Sequence, residues 1–281
     1  MHQQSYIHAF LQEMFGEYLK DRRTPGEPDS YSSKPEHHAQ KARVKHPVLR
    51  PDQDPLEHTP ILRLVGALLW VSLTTRPDIS WAVARITRLA SSDESRARVC
   101  VKHVAQYLKW TLHFALFYEP VTDRKWHCYT DASWSPEGDY SHQAVAIYYD
   151  TNLVAWQSQR QSLVALSSAE AELIASVWGN RLALSLYGQL MEMILDKPTY
   201  ITYCDNAAVV QLTQQLSASK TRTRHLSMRA SWLHHLVQRE NVSMQFVPTT
   251  YQKADTPTKG LQAYTHELAR EGLRLRLCNG L

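Results

Sequence analysis

The sequence predicts an α/β protein with a helical first half and a second half in which five strands alternate with helices. Three observations carry this expectation. Apolar residues recur at helical spacing as far as residue 112. From Trp126 the period shifts to short runs rich in β-branched and aromatic residues. Four acidic motifs then punctuate those runs, at strand ends, a helix start and a polar closing stretch.

With 281 residues and 43% hydrophobic content, the chain has room for one large or two modest domains and enough apolar surface for a core. In residues 6–19, Tyr6, Ile7, Phe10, Leu11, Met14, Phe15 and Tyr18 fall at helical spacing. Residues 21–55 hold six prolines and many Lys, Arg, His and Ser, the composition of a linker. Thr59-Pro60 predicts a helix start, with a hydroxyl at the N-cap and proline at the first helical position. The helix beyond it, residues 61–73, is apolar nearly all round and is expected to be buried. Arg76-Pro77-Asp78 breaks the chain and restarts it as a helix through Leu89. A third helix, about 93–112, carries Val101, Val104, Tyr107 and Leu108 on its apolar side.

Strands are predicted at 126–131, 142–149 and 152–156, with Asp150-Thr151-Asn152 as a tight turn between the last two. A helix follows at about 168–193, then a strand at 199–203, helices at about 207–215 and 227–240, and a strand at 242–247.

The formal net charge of +4 permits a nucleic-acid partner without requiring one. Cys100, Cys128, Cys204 and Cys278 form no CxxC pair, and three lie in apolar patterns, as buried free thiols do. The longest apolar run, 64–73, is far shorter than a membrane span, and no signal peptide opens the chain. An intracellular protein, nuclear or cytoplasmic, is expected.

The chemistry lies in the acidic motifs: Tyr129-Thr130-Asp131-Ala132-Ser133-Trp134, Ser167-Ser168-Ala169-Glu170-Ala171-Glu172, Tyr203-Cys204-Asp205-Asn206 and Gln252-Lys253-Ala254-Asp255-Thr256-Pro257-Thr258-Lys259. Carboxylates on a strand end, the next helix, a later strand end and the closing segment can converge on one spot. There they repel one another unless divalent cations neutralise them, and a pair of magnesium ions so held is suited to phosphodiester hydrolysis. Ser167 as N-cap would place Glu170 at the third helical position, in a capping box. Either Asp205 or Asn206 could cap the helix that follows them.

These motifs, in this order, resemble the ribonuclease H domain of copia-type LTR retrotransposon Pol polyproteins. The resemblance implies a ribonuclease H-like mixed five-stranded sheet with flanking helices, antiparallel in its first three strands and extended by parallel crossovers. It implies Asp131, Glu172, Asp205 and Asp255 as catalytic metal ligands, with Glu172 rather than Glu170 in the metal-binding position. Two Mg2+ ions, or Mn2+ in their place, would then serve an endonuclease that cuts the RNA strand of RNA–DNA hybrids, leaving 5′-phosphate and 3′-hydroxyl ends.

Upstream, Leu64-Val65-Gly66-Ala67-Leu68-Leu69-Trp70, Thr75-Arg76-Pro77-Asp78-Ile79 and Tyr107-Leu108-Lys109 resemble the thumb and connection linking polymerase to ribonuclease H. The expected organisation is an N-terminal helix from the polymerase region (1–20), a linker (21–55), a thumb/connection-like region (56–122), a ribonuclease H-like domain (123–260) and a tail (261–281). No Asp-Asp pair of a polymerase palm occurs, so DNA synthesis is not expected, and the chain resembles the C-terminal part of such a polyprotein.

No acidic residue lies between Asp205 and Glu240, and Ser219-Lys220-Thr221-Arg222-Thr223-Arg224-His225 resembles the family's Thr-Lys-His segment, with Arg224 in the lysine's place. This stretch is either a solvated surface or a phosphate track formed by Lys220, Arg222, Arg224 and His225. Telling RNA from DNA requires groups that sense the 2′-hydroxyl, for which Asn206 and Ser133 are candidates. The alternative to an enzyme is a folded, non-catalytic nucleic-acid-binding remnant.

Overall fold

The computed structural model describes residues 1–16, 19–26, 55–135, 140–194, 197–214, 224–239 and 242–278. Tyr18, most of the expected linker, Lys220 and Arg222 lie outside the described residues, as do the side chains of Arg224, His225 and Arg239. The chain divides into two compact units, Met1–Ala115 with Gly260–Leu268 and Arg276–Leu281, and Leu116–Lys259 with Ala269–Leu275. Among the described residues no helix is long and apolar enough to cross a membrane.

The first unit is helical: α1 (Gln4–Phe15), α2 (Pro55–His58), α3 (Ile61–Thr74), α4 (Ser80–Ser92) and α5 (Glu94–Trp110). Helix α1 buries Ile7, Leu11 and Met14 and stops at Gly16, whose φ of +58° suits a residue without a Cβ. The Asp93 carboxylate caps α5 by accepting the Arg96 amide, and Val101, Val104, Tyr107 and Leu108 are buried as the spacing predicts.

Two expectations for α3 are corrected. The Thr59 hydroxyl donates to the Pro55 carbonyl at 2.8 Å. It therefore turns back along its own chain, and α3 starts behind Pro60 with no side-chain cap. Nor is α3 buried all round. Ile61, Leu64, Val65, Leu68 and Val71 face the core, whereas Leu62, Trp70 and Leu73 are 75%, 55% and 53% exposed. Helices α4 and α5 cover one stripe of α3 and leave the opposite stripe open.

The chain break at Arg76-Pro77-Asp78 becomes a 3-10 turn over Pro77–Ile79. Arg76 Nε and Nη2 donate to Asp78 Oδ1 and Oδ2 at 3.0 and 2.7 Å, and the Tyr107 hydroxyl donates to Asp78 Oδ2 at 2.5 Å. The remaining guanidinium capacity goes to the Thr111 hydroxyl and carbonyl at 2.5 and 3.2 Å. The ion pair is almost wholly buried, so removing either partner would leave an uncompensated charge at a cost of about 3–5 kcal/mol. The motif thus clamps a turn onto α5.

A short strand, β1 (Phe114–Leu116), precedes the second unit, whose main strands are β2 (Lys125–Ser133), β3 (His142–Tyr149), β4 (Asn152–Arg160), β5 (Thr199–Cys204) and β6 (Val242–Phe246). They form one five-stranded sheet in the order β4-β3-β2-β5-β6. Pairings β2–β3 and β3–β4 are antiparallel, while β2–β5 and β5–β6 are parallel. Helices α6 (Ser168–Met193), α7 (Ala207–Gln214), α8 (Arg224–Arg239) and α9 (Asp255–Thr258) flank or close it. This is the ribonuclease H-like mixed sheet that the motif order implies. The β3–β4 turn uses Asp150 at φ +56°, and the Asp150 carboxylate accepts the Thr122 and Asp123 amides at 2.7 and 3.2 Å. Helix α8 starts three residues earlier than its sequence pattern suggests, at Arg224.

Helix α6 fixes the site to the sheet. Ala171, Ala175, Gly179 and Ala183, four residues apart, form a buried ridge of small side chains that lets its axis approach β2 closely. At Gly179 an added Cβ would stand 2.5 Å from Thr130 Cγ2 and 3.2 Å from Val145 Cγ2, so no larger residue fits without movement. Deeper along the helix, Asn180 Nδ2 donates to Thr202 Oγ1 at 3.0 Å and Asn180 Oδ1 accepts the Tyr200 hydroxyl at 2.8 Å. That satisfied polar bridge sets the register of α6 against β5.

Candidate active site

Asp131 lies near the end of β2, 0% exposed, and neither of its carboxylate oxygens accepts a hydrogen bond. The nearby Thr258 hydroxyl is donated instead to the Ala254 carbonyl. Burial, then the charges of Asp255 and Asp205, raise the Asp131 pKa to about 7, although the Lys259 ammonium opposes the rise. A carboxylate so deep in a fold, with no hydrogen bond to either oxygen, is costly unless a cation meets it.

Glu172, on the first turns of α6, faces Asp131. Its Oε1 accepts the Ala132 amide at 3.0 Å, and burial together with Asp131 and Asp205 pushes its pKa to about 9. Glu170 has separate work. Its amide donates to the Ser167 hydroxyl at 3.1 Å, while its Oε2 accepts the Leu166 amide at 2.9 Å. The reciprocal half of the expected capping box therefore reaches Leu166 rather than Ser167.

Asp205 follows β5, and its Oδ2 accepts the Thr249 hydroxyl at 3.0 Å. The cap of α7 is Asn206, whose Oδ1 accepts the Ala208 and Val209 amides at 3.1 and 3.3 Å. With Asn206 as cap, the Asp205 carboxylate is not used to start the helix. Glu172, Cys204 and Asp205 each offer a ligand atom within 4.8 Å of the others. Cys204 is a soft member of that trio. Burial and Glu172 raise its thiol pKa, and the sulfur lies 3.8 Å from Glu172 Oε2.

Asp255 opens the short helix α9. The segment before it is fixed by Gln252, whose buried Nε2 donates to the Thr130 carbonyl at 2.9 Å while its Oε1 accepts the Ala254 amide at 3.2 Å. The Ser158 hydroxyl donates to the Pro257 carbonyl at 2.5 Å and ties the same helix to β4. One residue past α9, Lys259 Nζ lies 2.8 Å from Asp255 Oδ1 and 3.4 Å from Asp131 Oδ2.

All four expected carboxylates thus come together at one end of the sheet: Glu172 and Asp205 with Cys204, and Asp131 and Asp255 through Lys259. The oxygen-rich donor set and the unsatisfied oxygens of Asp131 fit a hard divalent cation. The chain is 29% identical over 217 residues to the retrovirus-related Pol polyprotein from transposon TNT 1-94 of Nicotiana tabacum, across 75% of this chain and 16% of that protein. It is also 29% identical over 213 residues to the Pol polyprotein from transposon RE1 of Arabidopsis thaliana, across 74% of this chain and 14% of that protein.

Its relatives are retrovirus-related Pol polyproteins of plant transposons, of which it resembles a segment.

The chain spans about one sixth of the first of these relatives and less of the second. No family model matches it. Among solved structures, LC11-RNase H1 isolated from compost aligns over 53% of this chain and 96% of its own, at 17% identity and a TM-score of 0.35. The ribonuclease H-like fold rests on the strand order and register above.

Of the residues expected to touch nucleic acid, Ser133 ends β2 and is half-buried, and Asn206 caps α7. Arg224 and His225 begin α8, with their side chains outside the described residues. His234, in the same basic stretch, points inward: its Nδ1 lies 2.8 Å from the Thr213 carbonyl. Sequence reasoning missed Lys259, Cys204, Gln252 and Thr249 as site residues. The four-residue spacing of Asp255 and Lys259 is a readable signal for their ion pair, whereas the approach of Lys259 to Asp131 has no sequence signature.

Proposed function

We propose that this chain is a metal-dependent endonuclease that hydrolyses the RNA strand of RNA–DNA hybrids, with Asp131, Glu172, Asp205 and Asp255 as its metal-ligating carboxylates. The observation that carries the proposal is Asp131: buried, with no hydrogen bond accepted by either oxygen, its charge felt by Glu172 and raised in cost by Asp255 and Asp205, against the ammonium of Lys259 at 3.4 Å. A divalent ion bound there, Mg2+ by preference, supplies positive charge for an in-line displacement at phosphorus.

The chain's own residues do the rest by holding position. The Ala132 amide and the close α6–β2 packing orient Glu172. Thr249 steadies Asp205, and Gln252 and Ser158 set the segment that bears Asp255. Lys220, Arg222, Arg224 and His225 would carry the phosphate backbone, with Asn206 and Ser133 near the sugar edge. Similarity to a segment of Pol polyproteins supports a nucleic-acid substrate.

The test is cleavage of a hybrid labelled on its RNA strand by the purified chain, with Mg2+ and with a chelator. Magnesium-dependent products with 5′-phosphate and 3′-hydroxyl ends support the proposal. Tight hybrid binding without cleavage in Mg2+ or Mn2+ would replace it with the non-catalytic binding remnant.

A further inference from the structure

Lys259 is the cation in this cluster that the metal-site reading leaves unused. Its ammonium donates to Asp255 Oδ1 at 2.8 Å and stands 3.4 Å from Asp131 Oδ2. Helical spacing accounts for the first contact, since Lys259 lies four residues beyond Asp255. It does not account for the second, because Asp131 comes from a strand more than a hundred residues earlier and is fully buried. The ammonium thus stands between two carboxylates where a divalent cation would otherwise bind. The Lys259 side chain is 32% exposed, so it has a route out to solvent.

From this geometry we infer that Lys259 is a tethered counter-cation that occupies the Asp131–Asp255 subsite in the resting protein, so that a second divalent ion enters only when the lysine withdraws. The inference rests on the metal-site reading proposed above and adds an order of loading. The Glu172–Asp205 side, which faces no lysine at contact distance among the described residues, takes the first ion. The Asp131–Asp255 side stays neutralised by Lys259 until a competing anion, such as a backbone phosphate, draws the ammonium away or excess divalent ion displaces it. The physical reason is economy of charge: four carboxylates at one point need compensation at all times, and a tethered ammonium supplies part of it without bound metal. As burial alone would lower the Lys259 pKa, it is Asp131 and Asp255 that raise it.

The test is Mn2+ binding to the full chain without nucleic acid, counted by electron paramagnetic resonance and calorimetry. Wild type should bind one ion well and a second weakly. Lys259→Met should bind the second ion several-fold more tightly, because a unit charge a few ångströms away is gone. Lys259→Arg, which keeps the charge, should behave as wild type. Wild type and Lys259→Met with the same stoichiometry and affinities would overturn the inference while leaving the metal site in place. No Mn2+ binding to any of them would instead reject the metal-site reading itself.

A second readout needs no variant. In wild type labelled at lysine side chains, the Lys259 resonance should shift as Mg2+ is raised past the first equivalent, and an unmoved resonance at saturating Mg2+ would also overturn the inference.

Discussion

The Glu172 carboxylate accepts the backbone amide of Ala132 at 3.0 Å, one residue beyond Asp131. One hydrogen bond therefore joins the helix that bears one acid to the strand that bears another. It holds the Glu172 carboxylate beside the strand end that carries Asp131, against the repulsion by which the Asp131 charge raises the Glu172 pKa.

The two glutamates of α6 should separate cleanly under mutation. Glu172→Gln can still accept the Ala132 amide, so the fold should persist, but the lost charge should reduce hybrid cleavage by roughly 100-fold or more. Glu170→Gln can still accept the Leu166 amide and should retain activity near wild type. Steady-state cleavage rates and thermal melts of both variants decide this. Equal loss of activity with unchanged melting would show that the roles are divided wrongly.

Gly179→Ala tests how closely α6 must approach β2. Its Cβ would meet Thr130 Cγ2 at 2.5 Å, and Thr130 cannot rotate freely because its hydroxyl lies 3.2 Å from Ser176 Oγ. The expected cost is about 1–3 kcal/mol of stability by chemical denaturation. Activity should fall as well, since Asp131 and Glu172 sit on the two elements forced apart. A variant as stable as wild type would mean that the interface yields more readily than its geometry implies.

The metal-free protein should be less stable at alkaline than at mildly acidic pH. Asp131 and Glu172 have folded-state pKa values raised to about 7 and about 9, mainly by burial. A raised carboxylate pKa means that the folded state binds more protons than the unfolded one in that window. Stability is then full below the unfolded pKa values near 4 and is lost as pH rises through the folded ones, by at most about 1.4 kcal/mol per pH unit per proton. Melting temperatures in chelator should fall from pH 5 to pH 9, and Mg2+ should restore most of the loss. For the same reason Asp131→Asn should melt higher than wild type in chelator at pH 8. A chelated melting temperature that rises across that interval would contradict the assigned shifts.

Much of the second unit was legible in the sequence because its signals are local. Alternation in residues 126–131 marks β2, and Ser167 three residues before Glu170 marks the start of α6. The parallel pairing of β2 with β5 was implied by the family resemblance instead, since periodicity carries no strand direction. Features set by tertiary contact were not legible. Thr59 has the composition of a cap but bonds backward to Pro55, and α3 has the composition of a buried helix but is covered on one stripe only. Cys204 follows the pattern of an inert core thiol, yet chain crossover brings its sulfur beside Glu172.

The proposed cation site lies where the carboxylates gather around Asp131. Its most direct test is the rate of RNA-strand cleavage in a hybrid at fixed Mg2+, for wild type against Asp131→Asn and Asp205→Asn, each confirmed as folded by its melt. A catalytic cation site there requires cleavage by wild type and loss of roughly 100-fold or more in both variants, with hybrid binding retained. Undiminished cleavage by either folded variant would contradict it.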